Sequence, residues 1–392
     1  MRRFHTVAAS ATLSALALAM VGCGLPFGGS DDEEEVSTAR TYNGTASVGD
    51  FISIAIDDEA GTIAYENRSN GDSGTATFEV DSNGVFTIDD PSGVLGTSGY
   101  EVPGFALILE AAGTGPTSDE PSIITAFTKD AVSPSDMTSG EYNYMQFRTN
   151  SGGVELGHIS MAPAGVTAGG YWPYGGRPGA TAEDPPLEAG FLPDDLLPAA
   201  DIVQGSDSTH LTITYEDMGV EQTSYLFRTT GGFFAIDTPN GGLVCVRAAD
   251  DAAYDPAVAG SYRSMIYRKL DAHTDSNNDE SGTPSIGAYT ITLDAAAEVV
   301  VTDGVTEIAR GTLLPVAASP HIYDGSINRM SNECEGAFTF RQTSGTVTTD
   351  VFVMFMEDAL LISSFRIDTD PSDNGEYDYF YGVGLRDPSG GG

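Results

Sequence analysis

Lysine is almost absent from this sequence: Lys129 and Lys269 are the two examples in 392 residues. Lysine and arginine together number 17, against 57 aspartate and glutamate residues, so the formal net charge at pH 7 is −40. A charge of this sign and size keeps a protein soluble and is repelled by nucleic acid phosphates and anionic lipids. The composition therefore argues against nucleic acid as a partner.

Signatures of catalysis are also missing. The chain has no G-x-S-x-G, H-E-x-x-H, P-loop or G-x-G-x-x-G motif. The segment GDSG at 71–74 resembles the nucleophile loop of chymotrypsin-like serine proteases, but that family needs a histidine upstream of Ser73, where only His5 lies. We interpret GDSG as a turn between strands, and the sequence predicts no catalytic residue. Metal-ligand spacing is likewise lacking among the later histidines, which are His158, His210, His273 and His321.

The one apolar segment of note lies at the N-terminus. MRRFHT carries two arginines and no acid, and the segment Val7–Val21 that follows is too short to span a bilayer, as in a secretory signal peptide. It ends in Met20-Val21-Gly22-Cys23, which resembles the lipobox of bacterial lipoproteins. The resemblance implies that residues 1–22 are a lipoprotein signal peptide and that the Cys23 thiol carries lipid.

Lipidation of Cys23 implies an extracytoplasmic protein anchored to the membrane, and Gly24 is compatible with sorting to the outer membrane or cell surface. Residues 23–40 are rich in glycine and acid without apolar periodicity, which predicts a flexible acidic tether. Removal of the signal peptide leaves 370 residues with a net charge of −42, from 15 basic and 57 acidic residues. That length suits two or three domains, each able to bury a core.

Apolar and polar residues alternate along most of the chain from residue 51 onward. Short runs such as FISIAI, GTATFEV, LTITYE and AYTITLD end at turn-forming residues, as β-strands do. A short helix over 193–202 is the one helical candidate, and Pro198 interrupts it. Asn83-Gly84 between two such runs predicts a hairpin with a type I′ turn. We predict an all-β fold of tandem antiparallel β-barrel or β-sandwich units.

A weak internal repeat divides the body of the chain. The segment SGEYNYMQFR at 139–148 aligns with AGSYRSMIYR at 259–268, and each is followed by hairpins and a strand that ends in arginine. The repeat predicts β-units over 41–131, 139–250 and 258–387, joined by segments rich in proline, serine and aspartate. These units loosely resemble the lipocalin-like β-units of uncharacterised bacterial surface proteins, a likeness of pattern that implies no activity.

Segment 162–206 has the weakest strand pattern, and we predict a long loop inserted in the second unit. It contains the single tryptophan of the chain, in Tyr171-Trp172-Pro173-Tyr174. Long loops inside compact β-units are often functional. The aromatic faces of Tyr171, Trp172 and Tyr174 could stack on a sugar ring, or Trp172 could fix the loop to its own unit.

Two cysteines remain in the mature chain once Cys23 is lipidated. In an oxidising compartment an even pair favours a disulfide between Cys245 and Cys334, and two buried unpaired thiols are the alternative.

Two acidic loops are candidates for calcium, because carboxylate and amide oxygens are the ligands that Ca²⁺ prefers. Neither loop has the spacing of an EF-hand, and a solvated hairpin tip is the alternative interpretation of each. The candidate ligands are Asp275, Asn277 and Asp279 in the first loop and Asp368, Asp370 and Asp373 in the second.

These features together indicate a lipid-anchored cell-envelope protein of tandem β-units that acts as a non-enzymatic binding or structural surface module. A glycan or another envelope component is the expected partner. One alternative is a lipocalin-like carrier of a small apolar ligand, which needs a hollow barrel interior. The other is a carbohydrate-active hydrolase, which needs two facing carboxylates in a cleft.

Overall fold

The computed structural model describes most of the chain from residue 39 to residue 388. The predicted signal peptide, the predicted lipobox and residues 23–38 of the predicted tether lie outside the described residues. No helix among the described residues has the length and apolarity to cross a bilayer. The described ranges are 39–111, 121–147, 154–162, 165–171, 202–217, 220–229, 231–238, 241–248, 253–272, 283–316, 336–345, 347–368 and 377–388.

Eight antiparallel strands form a closed barrel at the start of the chain. Each strand pairs with the next one in sequence, and the barrel closes where β1 pairs with β8. The strands are β1 (Arg40–Ala46), β2 (Asp50–Asp57), β3 (Thr62–Asn67), β4 (Ser73–Val80), β5 (Val85–Asp89), β6 (Leu95–Val102), β7 (Ala106–Ala111) and β8 (Ser122–Thr128).

The second sheet repeats this arrangement with eight strands. Its first strand pairs with its last, β9 with β16, and the described sheet is open between β11 and β12. The strands are β9 (Gly140–Phe147), β10 (Val154–Ala162), β11 (Gly165–Tyr171), β12 (Ile202–Gln204), β13 (Leu211–Asp217), β14 (Val220–Arg228), β15 (Phe233–Thr238) and β16 (Gly241–Arg247).

The third sheet has nine strands, again with its first strand beside its last. Strand β17 pairs with β25, and among the described residues the sheet is open between β20 and β21. The strands are β17 (Gly260–Ala272), β18 (Thr283–Leu293), β19 (Glu298–Thr302), β20 (Glu307–Thr312), β21 (Leu314–Pro315), β22 (Ala337–Ser344), β23 (Val347–Phe355), β24 (Ala359–Asp368) and β25 (Tyr377–Arg386). The predicted all-β class with tandem barrel-like sheets is therefore confirmed.

Alternating side chains of each strand point into the interior of its own sheet, because successive side chains in a strand face opposite ways. In each sheet these inward side chains contact one another in a buried apolar cluster. The interior of the first barrel includes Tyr42, Ile54, Ile63, Leu107 and Leu109. The interior of the second sheet includes Tyr142, Leu211, Leu226 and Phe234. The interior of the third sheet includes Tyr262, Ile266, Val301, Phe338 and Leu360.

The outward side chains of all three sheets meet in a central core. Strands β7, β8, β15 and the first half of β24 are buried on both faces, which explains their continuous apolar sequences. The 38–392 part of the chain accordingly forms one compact unit. Members of the central core are Phe51, Ile108 and Phe127 of the first barrel, Met145, Phe227 and Phe233 of the second sheet, and Met265, Tyr267, Leu361 and Tyr381 of the third.

The internal repeat corresponds to equivalent first strands. Tyr142 in β9 pairs with Arg247 at the end of β16, and Tyr262 in β17 pairs with Arg386 at the end of β25. Both tyrosine hydroxyls donate to the carbonyl four residues earlier, at 2.9 Å in β9 and 2.7 Å in β17. Those carbonyls belong to the joints 129–139 and 248–259, so each tyrosine fastens its sheet to the preceding joint. The division into separate domains stays a prediction.

The long-loop prediction for 162–206 was wrong at both ends. Strand β11 pairs with β10 from Ala162↔Gly165 to Gly157↔Tyr171, and β12 pairs with β13. Strand pairing uses backbone groups, so the glycine-rich sequence GVTAGGY can pair although it lacks the apolar alternation of a typical strand. Residues 172–201 lie outside the described residues, and so does nearly all of the predicted 193–202 helix, whose last residue, Ile202, begins β12.

Candidate functional site

Most of the site residues predicted from sequence fall outside the described residues. Tyr171 ends β11 and Asp368 ends β24, and their side chains are not described. The lipidation, aromatic binding, calcium and disulfide assignments therefore stay predictions. The remaining members of these sets, all outside the described residues, are Cys23, Trp172, Tyr174, Asp275, Asn277, Asp279, Cys334, Asp370 and Asp373.

Cys245 is the predicted disulfide residue that the structure describes. It lies in β16 with its side chain buried in the interior of the second sheet, and it forms no disulfide with any residue that the structure describes. Burial raises the pKa of this thiol well above its usual value, which keeps it protonated and unreactive at neutral pH. Its predicted partner, Cys334, is outside the described residues, so the pairing is untested.

A groove opens at one end of the first barrel, beside the last described residues of the third sheet. Its volume is about 640 Å³, within the range of small-molecule sites. The lining combines ends of barrel strands with the turn between β4 and β5 and with the residues after β25. The lining residues are Arg40, Asp58, Gly61, Phe78, Val80, Ser82, Asn83, Gly84, Phe86, Tyr100, Glu101, Pro103, Asp387 and Pro388.

One arginine holds two carboxylates at the edge of this groove. The Arg40 guanidinium donates to both oxygens of Glu101, with Nε–Oε1 at 2.6 Å and Nη2–Oε2 at 2.8 Å. It also donates to both oxygens of Asp58, from Nη2 at 2.9 Å and from Nη1. The Tyr42 hydroxyl donates to Glu101 as well. We call Arg40, Asp58 and Glu101 the rim triad.

The rim triad has one positive and two negative charges. The hydrogen bonds to Asp58 and Glu101 raise the pKa of Arg40, and the bond from Arg40 lowers the pKa of Asp58, so both Arg40 and Asp58 are ionised at neutral pH. Four of the five N–H groups of Arg40 are occupied by these carboxylates. The triad therefore presents a net negative charge to the groove, and Arg40 has little capacity left to bind an anion.

Tyr100 is a nearly buried residue that lines the groove. It is 3% exposed, and burial raises the pKa of its hydroxyl to about 12, with a further contribution from the negative charge of Asp387. Asp387 is itself paired with Arg263, whose Nε lies 3.1 Å from Oδ2. Within the described parts of the chain, no residue hydrogen-bonds the Tyr100 hydroxyl.

The turn between β4 and β5 covers Tyr100. The hairpin predicted at Asn83-Gly84 is present, but its type I′ assignment was wrong, because Gly84 (φ 78°) has a positive φ and Asn83 does not. Asp81 Oδ1 accepts hydrogen bonds from the backbone N–H groups of Asn83 (2.7 Å) and Val85 (3.0 Å), which stabilises a longer turn. A Cβ at Gly84 would lie 3.2 Å from the Tyr100 ring, so glycine permits this close approach.

A second polar cluster lies between the first barrel and the second sheet. Asp237 of β15 is buried, and the Thr45 hydroxyl of β1 lies 3.0 Å from its Oδ1. Burial, together with the nearby charge of Asp50, raises the pKa of Asp237 to about 7. Asp50 is also buried and accepts a hydrogen bond from Asn67 Nδ2 at 3.0 Å. Neither acid lines the groove.

His210 lies at the same interface and is packed among aromatic rings. Its ring makes an edge contact with the Phe51 ring, and the two centroids are 5.2 Å apart. The Arg68 guanidinium lies over the Phe51 ring, 4.8 Å from its centroid. His210 Nδ1 is 3.0 Å from Asp207 Oδ1, without the geometry of a hydrogen bond. Burial lowers the pKa of His210, so the ring is neutral at pH 7. We interpret this cluster as structural.

The groove has the chemistry of a binding site. Its lining includes carboxylates, a phenol, an amide and apolar surface, but neither histidine nor cysteine. Sequence analysis did not identify it, because its residues are spread from Arg40 to Pro388 and follow no local spacing. Strand ends at one side of a closed barrel could have been grouped only after the strand order was known.

Comparison with known proteins finds no match to any protein-family model or to any curated protein sequence. Among solved structures, a double mutant of Transferrin Binding Protein B from Haemophilus parasuis Hp5 is 7% identical, with a TM-score of 0.27. The match covers 86% of this chain and 65% of that chain, so this chain corresponds to less than two thirds of that protein's length.

Two further solved structures are similar at the same level. A protein of unknown function from the DUF3598 family of Nostoc punctiforme PCC 73102 is 10% identical, covering 89% of this chain and 94% of that one, with a TM-score of 0.22. Intact Ap-TbpB, with N and C lobes, is 7% identical, covering 90% and 77%, with a TM-score of 0.23. Similarity this low assigns no residue and no activity to the present chain.

Proposed function

We propose that this protein is a lipid-anchored, non-enzymatic binding module of the cell envelope, and that the groove at the end of the first barrel is its binding site. The observation that carries the proposal is the groove itself, with its acidic edge, apolar lining and buried phenol. The sheets place these groups on a rigid scaffold, because each lining residue lies in or beside a strand end.

The carrier alternative is less well supported by the packing. A carrier of a small apolar ligand needs a hollow barrel, as in lipocalins. Within the described residues, the inward side chains of each sheet are buried against one another, including the large side chains of Tyr42, Tyr142, Tyr262 and Phe338. The groove lies at the barrel end, outside this packed interior.

The hydrolase alternative is also less well supported. Glu101 and Asp58 are the two groove carboxylates that most resemble a glycosidase pair, but both bind the guanidinium of Arg40. Arg40 therefore lies where a glycosidase pair would hold the sugar and a water molecule. Arg40 also lowers the pKa of Asp58, which holds this carboxylate in its ionised form and does not suit a general acid.

Cys23→Ser should release the protein from membranes. The anchor that the lipobox implies is a set of acyl chains, each adding about 0.8 kcal/mol of membrane affinity per buried methylene, and serine cannot carry the thioether. Carbonate-washed membrane and soluble fractions should be compared by immunoblot. Cys245→Ser is the control and should leave the protein in the membrane fraction. Retention of Cys23→Ser in washed membranes would contradict the lipid anchor.

Ser82→Trp should block the groove. Ser82 is exposed in the turn over the groove, and Val305, which is 96% exposed in the turn between β19 and β20, offers a matched control site. Muropeptides and capped pentapeptides serve as probes, and amide NMR shifts of the labelled protein report where they bind. We expect a groove-binding probe to lose about tenfold in affinity with Ser82→Trp, equivalent to about 1.4 kcal/mol, and nothing with Val305→Trp. Binding that Ser82→Trp leaves unchanged would exclude the groove.

A further inference from the structure

We infer that the groove binds a basic side chain, the guanidinium or ammonium group of a peptide partner. The inference rests on the proposed function of the groove and specifies the chemistry of its ligand. Three observations on the described residues support it: the charge of the lining, the unpartnered Tyr100 hydroxyl and the apolar surface beside them.

The charged lining residues favour a cation. They are Arg40, Asp58, Glu101 and Asp387, one positive charge against three negative charges. Arg263 lies outside the lining and balances Asp387, but the rim triad keeps an excess negative charge. Glu101 is 8% exposed, so its charge is weakly screened by solvent. The net charge of −42 on the mature chain would also steer a cationic ligand toward the protein.

The Tyr100 hydroxyl supplies a second and independent reason. Tyr100 is 3% exposed and lines the groove, and no described residue hydrogen-bonds its hydroxyl, so this oxygen is available to a ligand there. The N–H groups of a guanidinium or ammonium ion could donate to this oxygen. Because the ring is already fixed beneath Gly84, binding there would require little ordering of the protein.

The apolar part of the lining matches the stem of a basic side chain. Lysine and arginine carry three or four methylene groups that pack on apolar surface while the charged head reaches polar groups. Val80 is 50% exposed at the edge of the groove, and Phe78 is partly buried beside it. A small inorganic cation would leave this apolar surface uncovered.

A second triad on the surface provides an internal control. Arg310 donates to Glu298 at 2.9 Å and to Glu307 at 2.8 Å, so it has the same charges as the rim triad. Both of these carboxylates are well exposed, and none of the three residues lines the groove. If charge alone attracted the ligand, the two triads would bind it equally.

The test uses a capped Gly-Gly-Arg-Gly-Gly peptide and its twin with citrulline, which is neutral and nearly isosteric. Each is titrated into the full mature chain, kept soluble by Cys23→Ser, and binding is followed by amide NMR shifts. The arginine peptide should shift the amides of Ser82, Gly84 and Glu101, and the citrulline peptide should not. Tyr100→Phe and Asp58→Asn should each weaken binding about fivefold, whereas Glu307→Gln should not change it. Amide dispersion and melting temperature check that each variant is folded.

Several outcomes would overturn the inference. The groove does not recognise a guanidinium if the citrulline peptide shifts the groove amides as much as the arginine peptide does. The same conclusion follows if Glu307→Gln weakens binding as much as Asp58→Asn does. If a muropeptide shifts the groove amides and the arginine peptide does not, the cation inference fails while the groove remains a binding site. If no probe shifts the groove amides, the inference and the proposed binding site fail together.

Discussion

Phe233→Ala should lower the free energy of unfolding by about 3–5 kcal/mol, the usual cost of truncating a large buried aromatic residue. Phe233 belongs to β15, but its fully buried ring packs on the first barrel. Its centroid is 5.0 Å from that of Phe127 in an edge contact and 5.8 Å from that of Phe105 in a stacked one. The same central core contains residues of the third sheet, so we expect one cooperative transition for all three sheets.

Phe234→Ala is the matched control for this experiment. Phe234 is the next residue in β15, is equally buried, and points into the second sheet, where its ring meets Tyr142 at 4.9 Å. Urea unfolding followed by circular dichroism gives the stability of both variants. Hydrogen exchange should accelerate in β7 and β8 with Phe233→Ala and much less with Phe234→Ala. If the sheets unfold in separate transitions and Phe233→Ala shifts the midpoint of only one of them, the shared core is contradicted.

Asp237→Asn should make the protein more stable than the wild type at alkaline pH. Burial raises the pKa of Asp237 from 3.8 to about 7 in the folded state. The folded protein therefore binds this proton more tightly than the unfolded chain does. The stabilisation is complete below about pH 4, is lost as pH rises through 7, and the shift corresponds to about 4 kcal/mol. Asparagine does not ionise, so the variant does not lose this stabilisation as the pH rises.

The difference in stability between Asp237→Asn and wild type should thus grow from about pH 4 to pH 8 and then level off. His210 acts in the opposite direction, because its lowered pKa costs stability as pH falls below its normal range, but it is present in both proteins and cancels. Asp89→Asn, at an exposed site in β5, corrects for removing one charge from an acidic protein. A difference that is constant with pH would contradict the assignment. Urea unfolding in a pH series provides the measurement.

The Thr45 hydroxyl opposes the effect of burial on Asp237: the hydrogen bond that it donates to the carboxylate lowers the pKa of Asp237, whereas burial raises this pKa by more. Thr45 Oγ1 lies 3.0 Å from Asp237 Oδ1 and 2.9 Å from the carbonyl oxygen of Ala46. A hydroxyl has one proton, so a protonated Asp237 can donate to Thr45 while Thr45 donates to Ala46. When Asp237 ionises, Thr45 can donate to it instead, because the Ala46 carbonyl also accepts a hydrogen bond from the backbone N–H of Gly49 at 2.9 Å.

The sequence was sufficient to predict the strands, because half of each strand's side chains point to an apolar interior and the rest often meet solvent. Strand β3 shows this pattern clearly, with Ile63, Tyr65 and Asn67 buried and the residues between them more exposed. Strands such as β7 lack the alternation because both faces are buried. Their continuous apolar sequences indicate burial on both sides, but a single sequence does not say which sheet supplies the second partner.

The candidate site could not be predicted in the same way. Tyr100 and Asp387 meet only because the end of the third sheet packs beside the first barrel, and no local pattern records that contact. The turn type at Asn83 was missed because the Asp81 side chain accepts two backbone N–H groups and stabilises a longer turn. Asp237 follows the apolar run FFAI, and its burial depends on Thr45 and Asp50 of another sheet.

The pairing of the first and last strands of each sheet has a consequence for how gene duplication could have added sheets to the chain. In all three sheets the chain enters and leaves on neighbouring strands, β1 and β8, β9 and β16, β17 and β25. Each joint, 129–139 or 248–259, therefore leads from the last strand of one sheet to the first strand of the next. A duplicated gene segment that encodes one such unit can be spliced in at a joint without passing the chain through an existing sheet. The number of sheets whose outward faces share a central core would then depend on how many such segments the gene contains, and no new fold would be needed.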